Sequence, residues 1–457
     1  MNRKSRVLVL AIVVAFVAFL DGAVINVALP AIRQELGGGL VVQQWVVDGY
    51  LITLGALILT AGSLSDSFGR QRIMSIGLYG FGLASLACAI APTGLLLVIA
   101  RIVQGGAGAL LVPSSLALII ATFPRAEQGK AIGTWTAWTT AAFLGGPLLG
   151  GLLVDYANWR WVFAINVIPI VAALILLRGL GAEEKPSHRA KVDYLGAGLG
   201  ILGLGGPVFG LIEQSRLGWE SPGVWLPIII GGVSFALFLW WERRAPEPMV
   251  PLGMFTVRNF GFGNLATLFI YAALGFGGFV LGVFVQEVGG YSATLAGLVS
   301  LPSGLLLIVL SPRFGALSSR FGPRIFMTTG PLVLAAGYLY LLFVTEDVTY
   351  WPQVFPAVML MGIGIGITVA PLTSATLGAV EQSRAGIGSA INNAVARIAG
   401  LIAVACTGLI VGRQLDLEGF HRAVVVCALL LAIGGLVSFA GIRTQREPVS
   451  EPSVPTT

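Results

Sequence analysis

Charge is what this chain has least of: Asp, Glu, Lys and Arg make up 11% of its 457 residues, against roughly 25% in soluble domains. A water-soluble fold of this length has too little charge to coat itself, and a hydrophobic share of 56% points to the bilayer as solvent. Histidine is scarcer still. Both residues, His188 and His421, fall in polar breaks, so no histidine relay runs through the apolar segments. The three cysteines (Cys88, Cys406 and Cys427) all lie inside apolar runs. Their spacing suits neither a metal site nor a disulfide framework, and they read as small hydrophobes of helix packing. No GxxxxGK[ST] phosphate loop occurs, and no polar stretch is long enough for a soluble domain, which argues against an ATP-driven pump on this chain. Neither a nucleophile–base pair nor a metal cluster suggests an enzyme, and no cofactor is implied. The net charge of +6 is scattered through loops rather than gathered into a nucleic-acid patch. The alternating segments of about ten residues that mark an outer-membrane barrel are absent too.

What is present is a succession of apolar runs of about 20 residues, the length that crosses a bilayer as a helix. Fourteen spans are expected: 7–29, 44–64, 73–92, 95–121, 131–153, 161–180, 194–213, 224–241, 260–286, 294–317, 325–344, 353–376, 387–411 and 423–441. The opening MNRKSR and its apolar run resemble a signal peptide. The run continues through Asp21 to Ala28 without a small-residue cleavage pattern, and reads as an uncleaved first helix. Lys/Arg counting sets the orientation. Arg33, Arg160, Arg216, Arg413 and Arg422 fall on one side, Arg101 and Arg397 within or near spans, and the other basic residues on the opposite side. Both termini are thus expected in the cytoplasm, with the chain multi-pass in the cell (inner) membrane. Trp45, Trp159, Trp161, Trp219, Trp225 and Trp351 gather at the expected outer ends, as an interfacial belt.

One segment echoes another. GSLSDSFGRQR (62–72) and GALSSRFGPR (315–324) pair Gly62 with Gly315, Leu64 with Leu317, Ser65 with Ser318, Phe68 with Phe321 and Gly69 with Gly322, without gaps. Internal repeats of this kind are a common plan of secondary transporters. They suggest two homologous six-helix bundles (1–185 and 256–457) joined by a two-helix hairpin (186–255).

Several motifs resemble the major facilitator superfamily, and within it the 14-helix drug:proton antiporters of the quaternary-ammonium exporter type. LDGAVINVALPAI (20–32) is similar to the first-helix signature at Asp21, Asn26 and Pro30. GSLSDSFGRQR matches the loop after helix two at Gly62, Asp66, Gly69 and Arg70, and RIVQGGAGALLVP (101–113) matches helix four at Arg101, Gln104 and Gly105. GPLLGG (146–151), with Gly133, resembles the antiporter motif of helix five, Ala142 standing where a glycine is usual. NWRWVFAIN (158–166) and AGIGSAINNAVARIAG (385–400) are similar to later signatures, the second with Ile398 in place of a polar residue. The resemblance implies an all-α polytopic fold of fourteen transmembrane helices.

The candidate site residues follow from chemistry and resemblance together. Asp21 lies about 14 residues into the first helix, roughly 21 Å along it. A carboxylate at that depth costs about 2.5–3.5 kcal/mol unless it faces a cavity, finds a partner or is protonated. One such group can hold a proton and a cationic drug alternately, which is antiport in minimal form. A structural acid tied to a backbone or Asn partner is the alternative. Asp48 in WVVDGY (45–50) is a second cation or proton site, or a solvated acid at a helix entry. Glu213 and Glu287 read as interfacial. Arg101 carries fixed, permanently charged donors; the resemblance gives it a role in proton coupling, against snorkelling to the membrane edge. Asp66 and Arg70, with Gly62 and Gly69, are implied gating elements. Gly146, Pro147, Gly150 and Gly151 form a narrow helix face suited to close packing, and the resemblance links them to export. Asn26, Asn392 and Asn393 are candidate cargo contacts. Arg397 and the two asparagines of helix thirteen either line a cavity or cross-link helices, and the aromatics Phe16, Phe143, Trp138 and Tyr271 read as lipid-facing or packing groups.

The function expected is proton-coupled export of amphipathic, cationic drugs by alternating access. The partners are a small drug-like molecule, protons and the bilayer, without nucleic acid, and the chain acts as a monomer. A dedicated exporter of one endogenous metabolite, antibiotic or lipid is the alternative, and a non-transporting membrane sensor or scaffold is a second.

Overall fold

Helices are the form in which this sequence satisfies its backbone in lipid, where unpaired N–H and C=O groups cost several kcal/mol each. The computed structural model describes residues 2–181, 193–246, 248–381, 384–412 and 414–443. The side chains of Leu59, Ser63, Asp66, Arg125, Ala126 and Ala385 lie outside the description. Among the described residues there is no strand, and 14 helical spans are long and apolar enough to cross a membrane. In chain order they are α1 (Arg3–Leu36), α2 (Gly39–Phe68), α3 (Arg70–Ala89), α4 (Gly94–Thr122), α5 (Arg125–Tyr156), α6 (Trp161–Arg178) and α7 (Tyr194–Leu217). There follow α8 (Pro222–Glu242), α9 (Arg258–Glu287), α10 (Ala293–Phe321), α11 (Pro323–Phe343), α12 (Tyr350–Leu377), α13 (Ala385–Ala405) and α14 (Leu417–Gly441). Every expected span is present, with ends that differ from the expected ones by up to seven residues; α13, expected to reach 411, stops at Ala405. The first expected domain boundary, after 185, lies outside the described residues.

The packing repeats itself. In the first six helices α1 packs on α5 and α6, α2 on α4, and α3 on α4 and α6. In the last six, α9 packs on α13 and α14, α10 on α12, and α11 on α12 and α14, so helix n matches helix n+8 throughout. The sequence echo has a local structural counterpart. Gly69 (φ 96°) and Gly322 (φ 85°) each end one helix and start the next, their N–H groups donating to the Ser65 and Ser318 carbonyls. Only glycine adopts that backbone readily. The hairpin α7–α8 packs on itself and lays α7 against α2 and α13.

An even number of spans puts the start of α1 and the end of α14 at one end, here the terminal end; the α1–α2 loop at 37–38 marks the far end. The two groups meet through α5–α10, α2–α13 and α1–α9, again a two-fold arrangement. These close contacts occupy the half of the molecule towards the far end. Gln44 Nε2 donates to the Val404 and Ala405 carbonyls at 2.9 and 3.2 Å, and Arg33 pairs with Glu287, which also accepts from Gln43 Nε2 at 2.8 Å.

Candidate functional site

Asp21 sits in a closed cage built by four helices. It is 1% exposed. Arg101 of α4 donates from Nη1 to Oδ2 at 2.6 Å, while Gln104 Nε2 and Asn166 Nδ2 donate to Oδ1 at 2.9 and 2.8 Å. Ser85 of α3 accepts from Gln104 and Asn166 and donates to the Phe163 carbonyl at 2.8 Å. Arg101 is itself 1% exposed, donates from Nε to the Val46 carbonyl at 2.9 Å, and lies over the Tyr50 ring at 4.2 Å. It does not snorkel. Local sequence explains the geometry: Gln104 stands three positions after Arg101, about one helical turn, so both face α1. α6 breaks between Trp161–Ala164 and Val167–Arg178, and the tight step there, Asn166 N to Phe163 O at 3.1 Å, presents the Asn166 amide. Every group that touches the carboxyl is a donor, an arrangement made for an ionised acid. A proton on Asp21 needs an acceptor that Arg101 lacks.

The less covered face of α1 lies on the other side of the helix. That helix is surrounded by other helices, yet Ile12, Phe16, Phe19 and Asn26 are half-buried and Gly22 is exposed, with nothing within 4 Å of the position a Cβ would take. At 3.6 residues per turn these form one stripe, and Asp21 lies about 200° round the helix from Phe19. On α9, the partner of α1 in the second group, Tyr271, Gly275, Gly278 and Gly282 form a matching stripe, with open space at Gly278 and Gly282. These two incompletely covered stripes, on helices that pack against each other, define what we call the cleft. The expectation that Asp21 meets cargo therefore gives way to a different placement: its oxygens are occupied and turned from the cleft.

The remaining candidates divide. Asn26 lies on the open stripe of α1, and Asn393 of α13 is exposed. Asn392 is spent within its own group, donating to Asn264 Oδ1 at 3.1 Å and Thr267 Oγ1 at 2.9 Å. Asp48 is no solvated helix-entry acid: it is 0% exposed and neither of its oxygens has a partner. The Asp66 side chain lies outside the described residues. Arg70 begins α3 just after the Gly69 turn, and Gly62 has open space at its Cβ position. Phe16 belongs to the stripe, while Trp138 and Phe143 are exposed on α5.

Gly146, Pro147, Gly150 and Gly151 form a two-sided contact. A Cβ at Gly146 would stand 2.5 Å from Ala23 Cβ, and one at Gly150 2.8 Å from the Val24 carbonyl, directly beside Asp21 in α1. On the opposite side a Cβ at Gly151 would stand 2.5 Å from the Ala293 carbonyl, and one at Gly297 2.3 Å from the Pro147 carbonyl. So α5 touches the acid-bearing helix on one face and the second group, through α10, on the other. At this end Asp155 accepts from the Ala293 and Thr294 amides at 3.1 and 2.8 Å, capping α10 from across the divide.

Sequence reasoning missed Asn166, Ser85, Asp155 and the role of Glu287. Asn166 closes the NWRWVFAIN motif, a signal that marks the segment without saying what the amide touches. Glu287 and Asp155, at span ends, look like ordinary interfacial acids.

Comparison with known proteins bears on the whole chain. A family model described as "Major Facilitator Superfamily" matches residues 11–194 and 192–404. The chain is 35% identical over 404 residues to the multidrug resistance protein Stp of Mycobacterium tuberculosis (strain CDC 1551 / Oshkosh), covering 88% of this chain and 74% of that one. It is 34% identical over 397 residues to the methylenomycin A resistance protein of Bacillus subtilis, covering 86% and 84%. The puromycin resistance protein of Streptomyces alboniger is 34% identical, covering 87% and 80%. Among solved structures, a peptide transporter in complex with sulfate (TM-score 0.71, 15% identity, 95% and 94% covered) has the same fold. So does a D-xylose–proton symporter (TM-score 0.67, 16% identity, 97% and 99% covered).

Proposed function

Because the chain belongs to the Major Facilitator Superfamily, and within it to the drug:proton antiporter family, we propose that it exchanges protons for amphipathic compounds, with Asp21 and Arg101 as the proton-sensitive element. It is a multi-pass membrane transporter rather than an enzyme, an efflux protein for small molecules. The observation that carries the proton-coupled reading is the enclosed Asp21–Arg101 pair with its shell of donors. A proton on Asp21 breaks the pair and leaves a buried guanidinium to find new partners, a change of about 3–5 kcal/mol. The neighbouring residues Ala23 and Val24 carry that change to Gly146 and Gly150, and α5 passes it to α10 through Gly151 and Pro147. The far-end closure responds. In this reading the proton moves a gate and does not compete with cargo for one oxygen.

The Lys/Arg bias makes the terminal end cytoplasmic, so contacts confined to the far half correspond to a state open to the cytoplasm of a cell (inner) membrane. The two six-helix groups (1–185 and 256–457) rock as a monomer, the hairpin (186–255) riding on α2 and α13. Asp66 and Arg70, with Gly62 and Gly69, sit where the opposite, outward-open state closes. Asp48, sealed between α2 and the second group and without a partner, is a second proton site exposed when the far end opens. Cargo lies along the α1 stripe against Phe16, Phe19 and Asn26, with Asn393 opposite. A cationic cargo is a second reading, favoured by the ring faces of Phe16 and Phe19. Dye efflux from vesicles with and without an imposed pH gradient tests the proposal: extrusion should require the gradient and vanish in Asp21→Asn. Gradient-independent extrusion refutes proton coupling, and resistance to a single toxin among several unrelated ones favours a dedicated exporter.

A further inference from the structure

Arg397 stands alone in the middle of the membrane. It lies about two turns from the far end of α13, its guanidinium over the Phe19 ring at 5.7 Å, which sets it at the open stripe of α1. Its Nε is shut from solvent without a partner, and no ion pair or hydrogen bond of Arg397 occurs among the described residues. Gly386, Ala390, Asn393 and Gly400 share its side of α13, and Asn393, one turn away, is exposed. The charged and titratable groups around it are few. Arg101 and Asp21 are paired on the reverse of α1, the Tyr50 phenol of α2 is within electrostatic reach, and Asp48 is sealed farther along α2 towards Cys406. Among the described residues, the cleft thus shows cargo a cation and aromatic rings, and no acid.

We propose that Arg397 is a cargo-binding residue, and that with Asn393 and the Phe19 ring it takes the carboxylate, or a comparably acceptor-rich group, of an aromatic amphipathic compound. The physical case is direct. A half-buried arginine whose Nε is sealed without an acceptor is unfavourable, and its fork of donors matches a carboxylate in two parallel bonds. An aromatic cargo body stacks on Phe19 while its acid reaches Arg397, and Asn393 supplies a donor at the cleft surface. This deepens the exporter reading and rests on it for the place of the cleft, but it reverses the charge that Asp21 alone suggests.

The test is equilibrium binding to the purified full chain in detergent micelles, with three xanthene dyes of one ring system as probes: fluorescein, its methyl ester, and the cationic ester rhodamine 6G. Wild type should prefer fluorescein to its ester by about tenfold or more, the worth of hydrogen bonds to a charged group. Arg397→Gln should abolish that preference while binding the methyl ester as before. Arg397→Lys should restore part of it, which a merely structural arginine would not do. The proposal is overturned if wild type shows no preference, prefers the cationic dye or binds none of the three, or if Arg397→Gln keeps the preference. Proton-driven efflux is a separate readout: a retained acid preference without it would refute antiport and leave the subsite standing.

Discussion

Replacing Asp21 by Asn is the most informative single change, because asparagine has the shape of the protonated acid and cannot revert. Both partners of the Asp21–Arg101 pair are 1% exposed, so no solvent screens the loss. Removing one member of such a pair leaves a buried charge uncompensated and costs about 3–5 kcal/mol. The Asn166 and Gln104 amides can turn to meet the new NH2 group, but Arg101 has no acceptor with which to do so. Arg101→Leu alone should cost a similar amount, this time by stranding the carboxylate. The double variant removes both charges and should be more stable than either single one, a strong non-additivity for a pair in contact. Denaturant unfolding of the four purified proteins measures this, and dye efflux under a pH gradient should be lost in all three variants. If the double variant loses the sum of the two single losses, the pair is not the unit described here. Should Asp21→Asn extrude dye at the wild-type rate under a gradient, the coupling scheme fails outright.

Three further outcomes are expected. Gly297→Val places a side chain where a Cβ already stands 2.3 Å from the Pro147 carbonyl; α5 and α10 should part at the far end, read as increased labelling of a cysteine introduced on the cleft stripe by an impermeant thiol reagent added from outside, and unchanged labelling counts against the contact. Asn166→Leu removes a donor shared by Asp21 and Ser85 and should cost about 1–3 kcal/mol of stability, with the pH dependence of efflux altered although no cleft residue has changed. A wild-type profile in that variant would reduce Asn166 to packing. Exchange of one proton for one monoanion carries two charges inward, about 4.6 kcal/mol per 100 mV at about 2.3 kcal/mol per charge; a potassium diffusion potential in proteoliposomes should then drive acidic-dye transport strongly, whereas voltage independence would indicate a cationic cargo.

The sequence shows the fold well and the site in part. Long apolar runs separated by glycine and charge place all fourteen helices, because bilayer thickness leaves little choice of length. The Gly69/Gly322 echo foretells the internal symmetry, since both turns need a backbone that only glycine adopts readily. The depth of Asp21 is also legible, but its direction is not. α1 is apolar on every side, so no polar stripe indicates which face meets the cleft, and only the neighbours decide. Asn392 and Asn393 make the same point: adjacent in sequence, about 100° apart on the helix, one is bonded within its own group and the other is open. Asn166 and Glu287 depend on partners from other helices, 81 or more residues away, which no local pattern reveals.

That Asp21 and the cleft occupy opposite faces of α1 has a consequence for how such a protein changes over generations. Substitutions along Phe16, Phe19 and Asn26 can remodel what is carried while the engine behind them goes untouched. New toxins can be accommodated by altering the hold alone, with the drive shaft inherited as it stands.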